Sequence, residues 1–297
     1  MSFPRWATTA HPIYRREAAL WRRRSGRWQW LFLPFLFLPL CCAAVCGLSL
    51  LPVALEDNSA GALAAVGGVT LIVGLWSLHG FAAWGISLIT TIAASTVIAR
   101  ERETLNWPLL RLTTLKPQEI VLAKIAALLT WLRWPIAALL LARLAAVAAT
   151  ALGAAALVLV APAINPDVTA SAQVALWMLT ASGAAFLAAF LVVELAASII
   201  YNCAIGLLAS AYSRSSASAV ALTFVLNLVL ALFVFAPAQQ AITIGLAAFS
   251  NVSLPLSSFV FPVSAGLAGF FLPLFLESAI AAVALILVAD QTKRLVE

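Results

Sequence analysis

Charge is what this chain has least of. Asp, Glu, Lys and Arg together make up 9% of 297 residues, against 64% hydrophobic residues and a mean hydropathy of +1.07. A water-soluble domain clothes its surface with about 25% charged residues, so lipid must be the solvent for most of this molecule. Histidine is almost missing, with only His11 and His79. The four cysteines, Cys41, Cys42, Cys46 and Cys203, lie inside apolar runs without the spacing of a zinc site or a redox pair. They read as small apolar filler, and no metal is expected. No GxxxxGK[ST] phosphate loop occurs, so no soluble nucleotide-binding domain is expected, and nothing points to bond chemistry in this chain.

What is present is a series of long apolar runs. Crossing a hydrocarbon core about 30 Å thick takes about 20 apolar residues, and six runs qualify: 30–55, 63–98, 120–160, 174–211, 217–236 and 266–289. Backbone polar groups cannot go unpaired in lipid, and these runs far exceed barrel strands, so helices are required. The expected fold is all-α with six transmembrane helices. The first run is preceded by basic residues, as a secretory signal would be. Its basic region is too long, and no small-residue cleavage site leads into a soluble domain, so it reads as a retained span.

Lysine and arginine mark the cytoplasmic side. Seven arginines precede the first run, from Arg5 to Arg27; Arg100, Arg102, Arg111, Lys116 and Lys124 fall between the second and third; Arg214 lies between the fourth and fifth, and Lys293 and Arg294 follow the sixth. The other loops hold Glu56 and Asp57, then Asn165 and Asp167, and then no charge between 236 and 266. Six crossings with both termini in the cytoplasm satisfy every loop. The same distribution explains the net charge of +6 and disfavours nucleic acid as a partner, because the positive residues flank membrane spans and form no patch.

Residues 1–29 read as a basic cytoplasmic segment. On a helix, Ile13, Glu17, Leu20 and Trp21 share one side while the arginines reach toward lipid phosphates, the pattern of an interfacial helix; a plain positive-inside anchor is the simpler alternative. Between 237 and 262, short apolar pieces are interrupted by Gln239, Gln240, Asn251, Pro255 and Pro262. None is long enough to span, so a re-entrant or extracellular helical segment is expected there, with an ordinary loop as the alternative.

The charged island at 100–124 reads REReTLNWPLLRLTTLKPQEIVLAK, with the lower-case letter marking Glu103. It mixes apolar Trp107, Leu109, Leu110, Leu112 and Leu115 with Arg100, Glu101, Arg102, Glu103, Arg111 and Lys116, which suits a docking surface of apolar anchor and polar rim. Glu101-Arg102-Glu103, Leu109-Leu110, Thr113, Leu115, Glu119-Ile120 and Lys124 resemble, in order and spacing, the segment between helices two and three of the type-2 (ABC-2) ATP-binding-cassette permeases. The resemblance covers about 25 residues of the 297. Leu105, Asn106, Pro108, Thr114, Lys116 and Ala123 depart from the usual pattern.

The resemblance implies a six-helix permease domain over 30–297 and a coupling segment at 100–118. It also implies a second permease subunit, as homo- or heterodimer in the cytoplasmic membrane, and a separate nucleotide-binding subunit that holds ATP and magnesium, leaving no cofactor in this chain. Arg100, Glu101, Arg102, Glu103, Leu109, Leu110, Thr113 and Leu115 would contact that motor, with Glu119 and Lys124 shaping the return into the bilayer. Export of a hydrophobic or amphipathic cargo would be the function. A structural or assembly subunit on the same scaffold, or an ion-coupled carrier, are the alternatives.

Four ionisable residues fall inside the runs: Arg133, Arg143, Glu194 and Glu277. Charge at the bilayer centre costs about 2.5–3.5 kcal/mol on insertion scales, so these side chains should face protein or water and pair with one another. Counting along the helices puts Arg133 level with Glu277, and Arg143 level with Glu194. A structural ion pair is favoured over a pathway lining. His79, Tyr201 and Asn202 read as packing and interhelical hydrogen-bonding residues.

Overall fold

A computed structural model of the chain describes residues 12–22, 41, 44–45, 48–49, 60–104, 117–164, 169–238, 240 and 257–294. Every element among them is helical. They are α1 (12–22), α2 (Ala60–Ser95), α3 (Ala99–Glu103), α4 (Pro117–Ile164), α5 (Ala170–Tyr212), α6 (Ser216–Leu230) and α7 (Ser257–Arg294). A π-helical turn, Ala231–Phe235, continues α6. Five stretches are long and apolar enough to cross a bilayer: Val66–Glu103, Glu119–Leu159, Ala170–Tyr212, Ser216–Ala238 and Phe271–Thr292. The chain is thus an all-α, multi-pass membrane protein. The run at 30–55 lies outside the described residues apart from five positions.

Three helices, α4, α5 and α7, outrun the apolar runs that specify them. At about 1.5 Å per residue, the 48 residues of α4 and the 43 of α5 reach about 72 and 65 Å, twice a hydrocarbon core. Pro117 opens α4, where its missing N–H is no loss. The last helix begins at Ser257, nine residues before the run at 266, so 257–262 of the supposed re-entrant segment are its first turns. Pro262 and Gly266 look like stops by the rules of soluble helices, but lipid offers the backbone no water as an alternative partner. Residues 241–256 of that segment lie outside the described residues.

Local chemistry sets the breaks. After Ser95, the N–H groups of Thr96 and Val97 fall back to Ala93 and Ala94, a tightened turn that separates α2 from α3. Ser215 caps α6 through a reciprocal box with Ser218, its hydroxyl accepting from the Ser218 N–H while the Ser218 hydroxyl accepts from the Ser215 N–H. The π-turn lies just ahead of Pro237, whose ring and missing N–H perturb the preceding turn.

The residues fall into two compact units. Unit 1 comprises Met1–Ala18, Ser87–Leu129 and Ala196–Glu297; unit 2 comprises Ala19–Ile86 and Thr130–Leu195. In unit 1, Ile98, Val121, Leu207, Ala211 and Val288 form one apolar cluster, and Tyr201, Ala204, Ile205, Ala281 and Ala284 form another. Here α2 and α5 touch backbone to backbone. A Cβ added to Gly206 would lie 2.7 Å from the Ala94 Cβ, 2.8 Å from the Thr91 carbonyl oxygen and 2.9 Å from the Ser95 nitrogen. Close approach of this kind is how membrane helices gain dispersion contact when lipid offers no hydrophobic drive. In unit 2, the Trp76 indole donates to the Thr150 hydroxyl at 3.0 Å and the Trp76 ring meets His79 edge-on.

Gly206→Ala should therefore destabilise the protein by about 1–3 kcal/mol, the usual cost of overpacking. Gly183→Ala, where nothing lies within 4 Å of the added methyl, should be neutral or stabilising by helix propensity. Thermal unfolding in a mild detergent compares the two, and equal midpoints would mean that α2 and α5 are not in contact.

Candidate functional site

The charged island enters the structure through α3. Five residues cannot sustain a helix in isolation, and α3 is held entirely by its neighbours in unit 1. The Ser210 hydroxyl of α5 accepts from both the Ile98 and Ala99 N–H groups at 2.9 Å, capping α3 from another helix. In the other direction, Arg102 donates from one guanidinium nitrogen to the carbonyls of Ala211 and Ser213, both at 3.1 Å. That puts a cation on the orphan carbonyls at the C-terminus of α5. Glu103 accepts from the Ser216 N–H at 3.2 Å and from its hydroxyl at 2.5 Å, putting an anion at the N-terminus of α6. Two side chains of α3 thus grip both sides of the turn between α5 and α6.

Glu101 points the other way, into the protein. It and Lys124 are each 5% exposed, and the ammonium donates to the Glu101 carboxylate at 2.7 Å and to Glu17 of α1 at 3.1 Å. Arg16, largely exposed, adds a looser ionic contact to Glu101 at 3.8 Å. The other carboxylate oxygen of Glu101 is buried and makes no hydrogen bond. Ile13 and Tyr14 are buried beside Glu17, so the apolar side of α1 faces protein, while Arg15, Arg16 and Arg22 are exposed.

Of the residues expected to meet a motor, Arg100 is exposed, and Glu103 is exposed while bonded to Ser216. Arg102 is half-buried, and Glu101 and Lys124 are committed to each other. Glu119 is half-buried on the first turn of α4. Leu109, Leu110, Thr113 and Leu115 lie outside the described residues. Sequence reasoning missed Ser210, Ser216 and the interior role of Glu17. A signal for Glu17 existed: a carboxylate on the apolar side of an amphipathic helix needs a cation facing it.

The four charges of the apolar runs divide between the units. In unit 2, Arg143 is 2% exposed. Its Nη1 lies 2.5 Å from a Glu194 oxygen and also donates to the Leu191 carbonyl, while its Nε donates to His79 Nδ1 at 3.2 Å. The contact to Glu194 is close but not aligned as a hydrogen bond. The expected level of Arg143 with Glu194 is realised as a pair. His79 accepts through Nδ1, so its proton is on Nε2. Arg133 is exposed, and its guanidinium stands over the ring of its neighbour Trp134, 5.4 Å from the centroid. Glu277 is half-buried on α7.

In unit 1, Thr91 donates to Asn202 Oδ1 at 2.7 Å, Asn202 donates to the Ser198 carbonyl at 2.7 Å, and the Tyr201 hydroxyl donates to Asn227 Oδ1 at 3.0 Å. These polar side chains tie helices together. No group of three His, Cys, Asp or Glu side chains able to hold a metal occurs among the described residues.

Comparison with known proteins adds no relative: no protein-family model, curated protein or solved structure matches the chain.

Two expectations follow from the ion pairs. Lys124→Met strands Glu17 and Glu101 together and should cost about 3–5 kcal/mol, the usual penalty for breaking a buried pair. Adding Glu101→Leu to it should recover part of that loss in a thermal-unfolding cycle. Likewise, Arg143→Leu alone should destabilise more than Arg143→Leu with Glu194→Leu. A double variant no better than the single would show that the carboxylate was not held by the arginine.

Proposed function

We propose that the chain is the permease subunit of an ABC-2 type transporter, an exporter of hydrophobic or amphipathic cargo driven by ATP hydrolysis in a separate nucleotide-binding subunit. It catalyses no reaction itself. ATP and magnesium belong to the partner, and a second permease subunit completes the pathway across the cytoplasmic membrane. The reading rests first on the island motif, Glu101-Arg102-Glu103 followed by Leu109-Leu110, Glu119 and Lys124, and on the all-α, multi-pass architecture around it.

The observation that carries it furthest is the grip of α3 on the turn between α5 and α6. Arg102 holds the carbonyl end of α5 and Glu103 holds the amide end of α6. A force applied to residues 105–116 by a motor domain would reach two membrane helices through these bonds. In this reading Glu101, Arg102 and Glu103 transmit, and Leu109, Leu110 and Leu115 make contact with the motor.

A structural or assembly subunit is the second reading, favoured by the consumption of Glu101 and Lys124 in an internal pair. Purification of the tagged protein from its native membrane, with mass spectrometry and an ATPase assay, separates the two. An ATP-binding-cassette subunit should co-purify in near-equal amount and be lost on Leu109→Ala with Leu110→Ala. Glu103→Gln should retain the partner but reduce nucleotide-stimulated transport in vesicles several-fold. Co-purification of other membrane proteins without an ATPase would transfer the assignment to the assembly subunit.

A further inference from the structure

Counting residues from the island places Arg133 deep in the bilayer. Unit 2 gives it other surroundings. Trp134 is 72% exposed, and the Arg133 guanidinium beside it is exposed and lies over the indole. One turn back, Trp131 stacks on Trp21 of α1 with ring centroids 5.0 Å apart and planes 26° from parallel. Trp21 is followed by exposed Arg22 and, in sequence, by Arg23 and Arg24.

The stack fixes Arg22 near the level of Trp131. Hydrocarbon is the worst environment for such a group of cations. The boundary between water and lipid is the best, because indole rings and arginines both settle at the headgroup level. The pattern of exposure along α4 agrees. In unit 1, Ile120, Ala123, Lys124, Ala127 and Leu128 are buried in protein. In unit 2, exposed Leu141, Leu144, Leu152, Leu157 and Leu159 follow Trp134. From Trp134 to Leu159 is about 38 Å at 1.5 Å per residue, enough to cross a core of about 30 Å with tilt.

We propose that Trp21, Trp131, Arg133 and Trp134 form a phospholipid-headgroup site that marks the bilayer boundary on α4. The Arg133 guanidinium binds lipid phosphate, and the Trp134 ring lies at the level of the acyl esters. Arg133 is a surface anchor and not a charge of the membrane interior.

The test uses the full chain in vesicles of phosphatidylethanolamine and phosphatidylglycerol, with spin labels on the lipid headgroup or midway along the acyl chain. The difference in tryptophan emission between the parent and Trp134→Phe isolates the signal of Trp134. Headgroup label should quench that signal at least twofold more than acyl label. The reverse ratio would put Trp134 inside the hydrocarbon, and quenching by aqueous iodide with neither lipid label would put it away from the membrane; either overturns the proposal. As a second measurement, Arg133→Gln should retain about half the parent's phosphatidylglycerol after delipidation in detergent. Unchanged retention would remove the phosphate contact.

Discussion

The Lys124 ammonium has two carboxylates in reach, Glu101 of α3 and Glu17 of α1, in a place almost closed to solvent. Burying an ammonium is expensive, and only close, hydrogen-bonded anions offset it. That requirement joins three segments far apart in sequence. α4 supplies the cation, and it determines where α1 and α3 must lie for the charge to be tolerated. Once α3 is fixed by Glu101, two of its remaining long side chains, Arg102 and Glu103, are presented to the ends of α5 and α6. Much of unit 1 at this end thus follows from the placement of one positive charge.

Unit 2 solves a similar problem with different groups. Arg143 sits among apolar side chains and is satisfied by a carboxylate, a backbone carbonyl and a neutral imidazole. His79, which the sequence marks as a packing and hydrogen-bonding residue, completes this coordination. In each unit a buried cation meets a carboxylate of another helix, Lys124 with Glu101 and Arg143 with Glu194, and pairs of this kind can specify the arrangement of helices. Nothing in either cluster requires a transported ion.

Composition and run length were enough to read an all-α chain and the places of the five long apolar stretches among the described residues, because lipid leaves the backbone so few options. Helix ends were less legible. Pro262 and Gly266 suggested a late start to α7, since propensities measured in water overstate their cost in lipid. The pairing of Arg143 with Glu194 could be read from depth, since each sits at a comparable distance along its own helix. The stacking of Trp131 on Trp21 could not, because that pairing joins helices distant in the chain and is a tertiary fact. The inward turn of Glu101 was hidden for the same reason: the motif fixes residue types and spacing, whereas the face each presents depends on Ser210 and Lys124, distant in the chain.

Among the described residues, the π-turn at Ala231–Phe235 sets α6 apart from the other helices. A wider turn holds one residue more than an α-helical turn, so it stores a local surplus of chain length. Removing a residue from a regular membrane helix rotates everything beyond it by about 100° and turns lipid-facing side chains toward protein. Within 231–235, loss of a residue can be absorbed by relaxation to ordinary α-helix, with the faces on either side left in register.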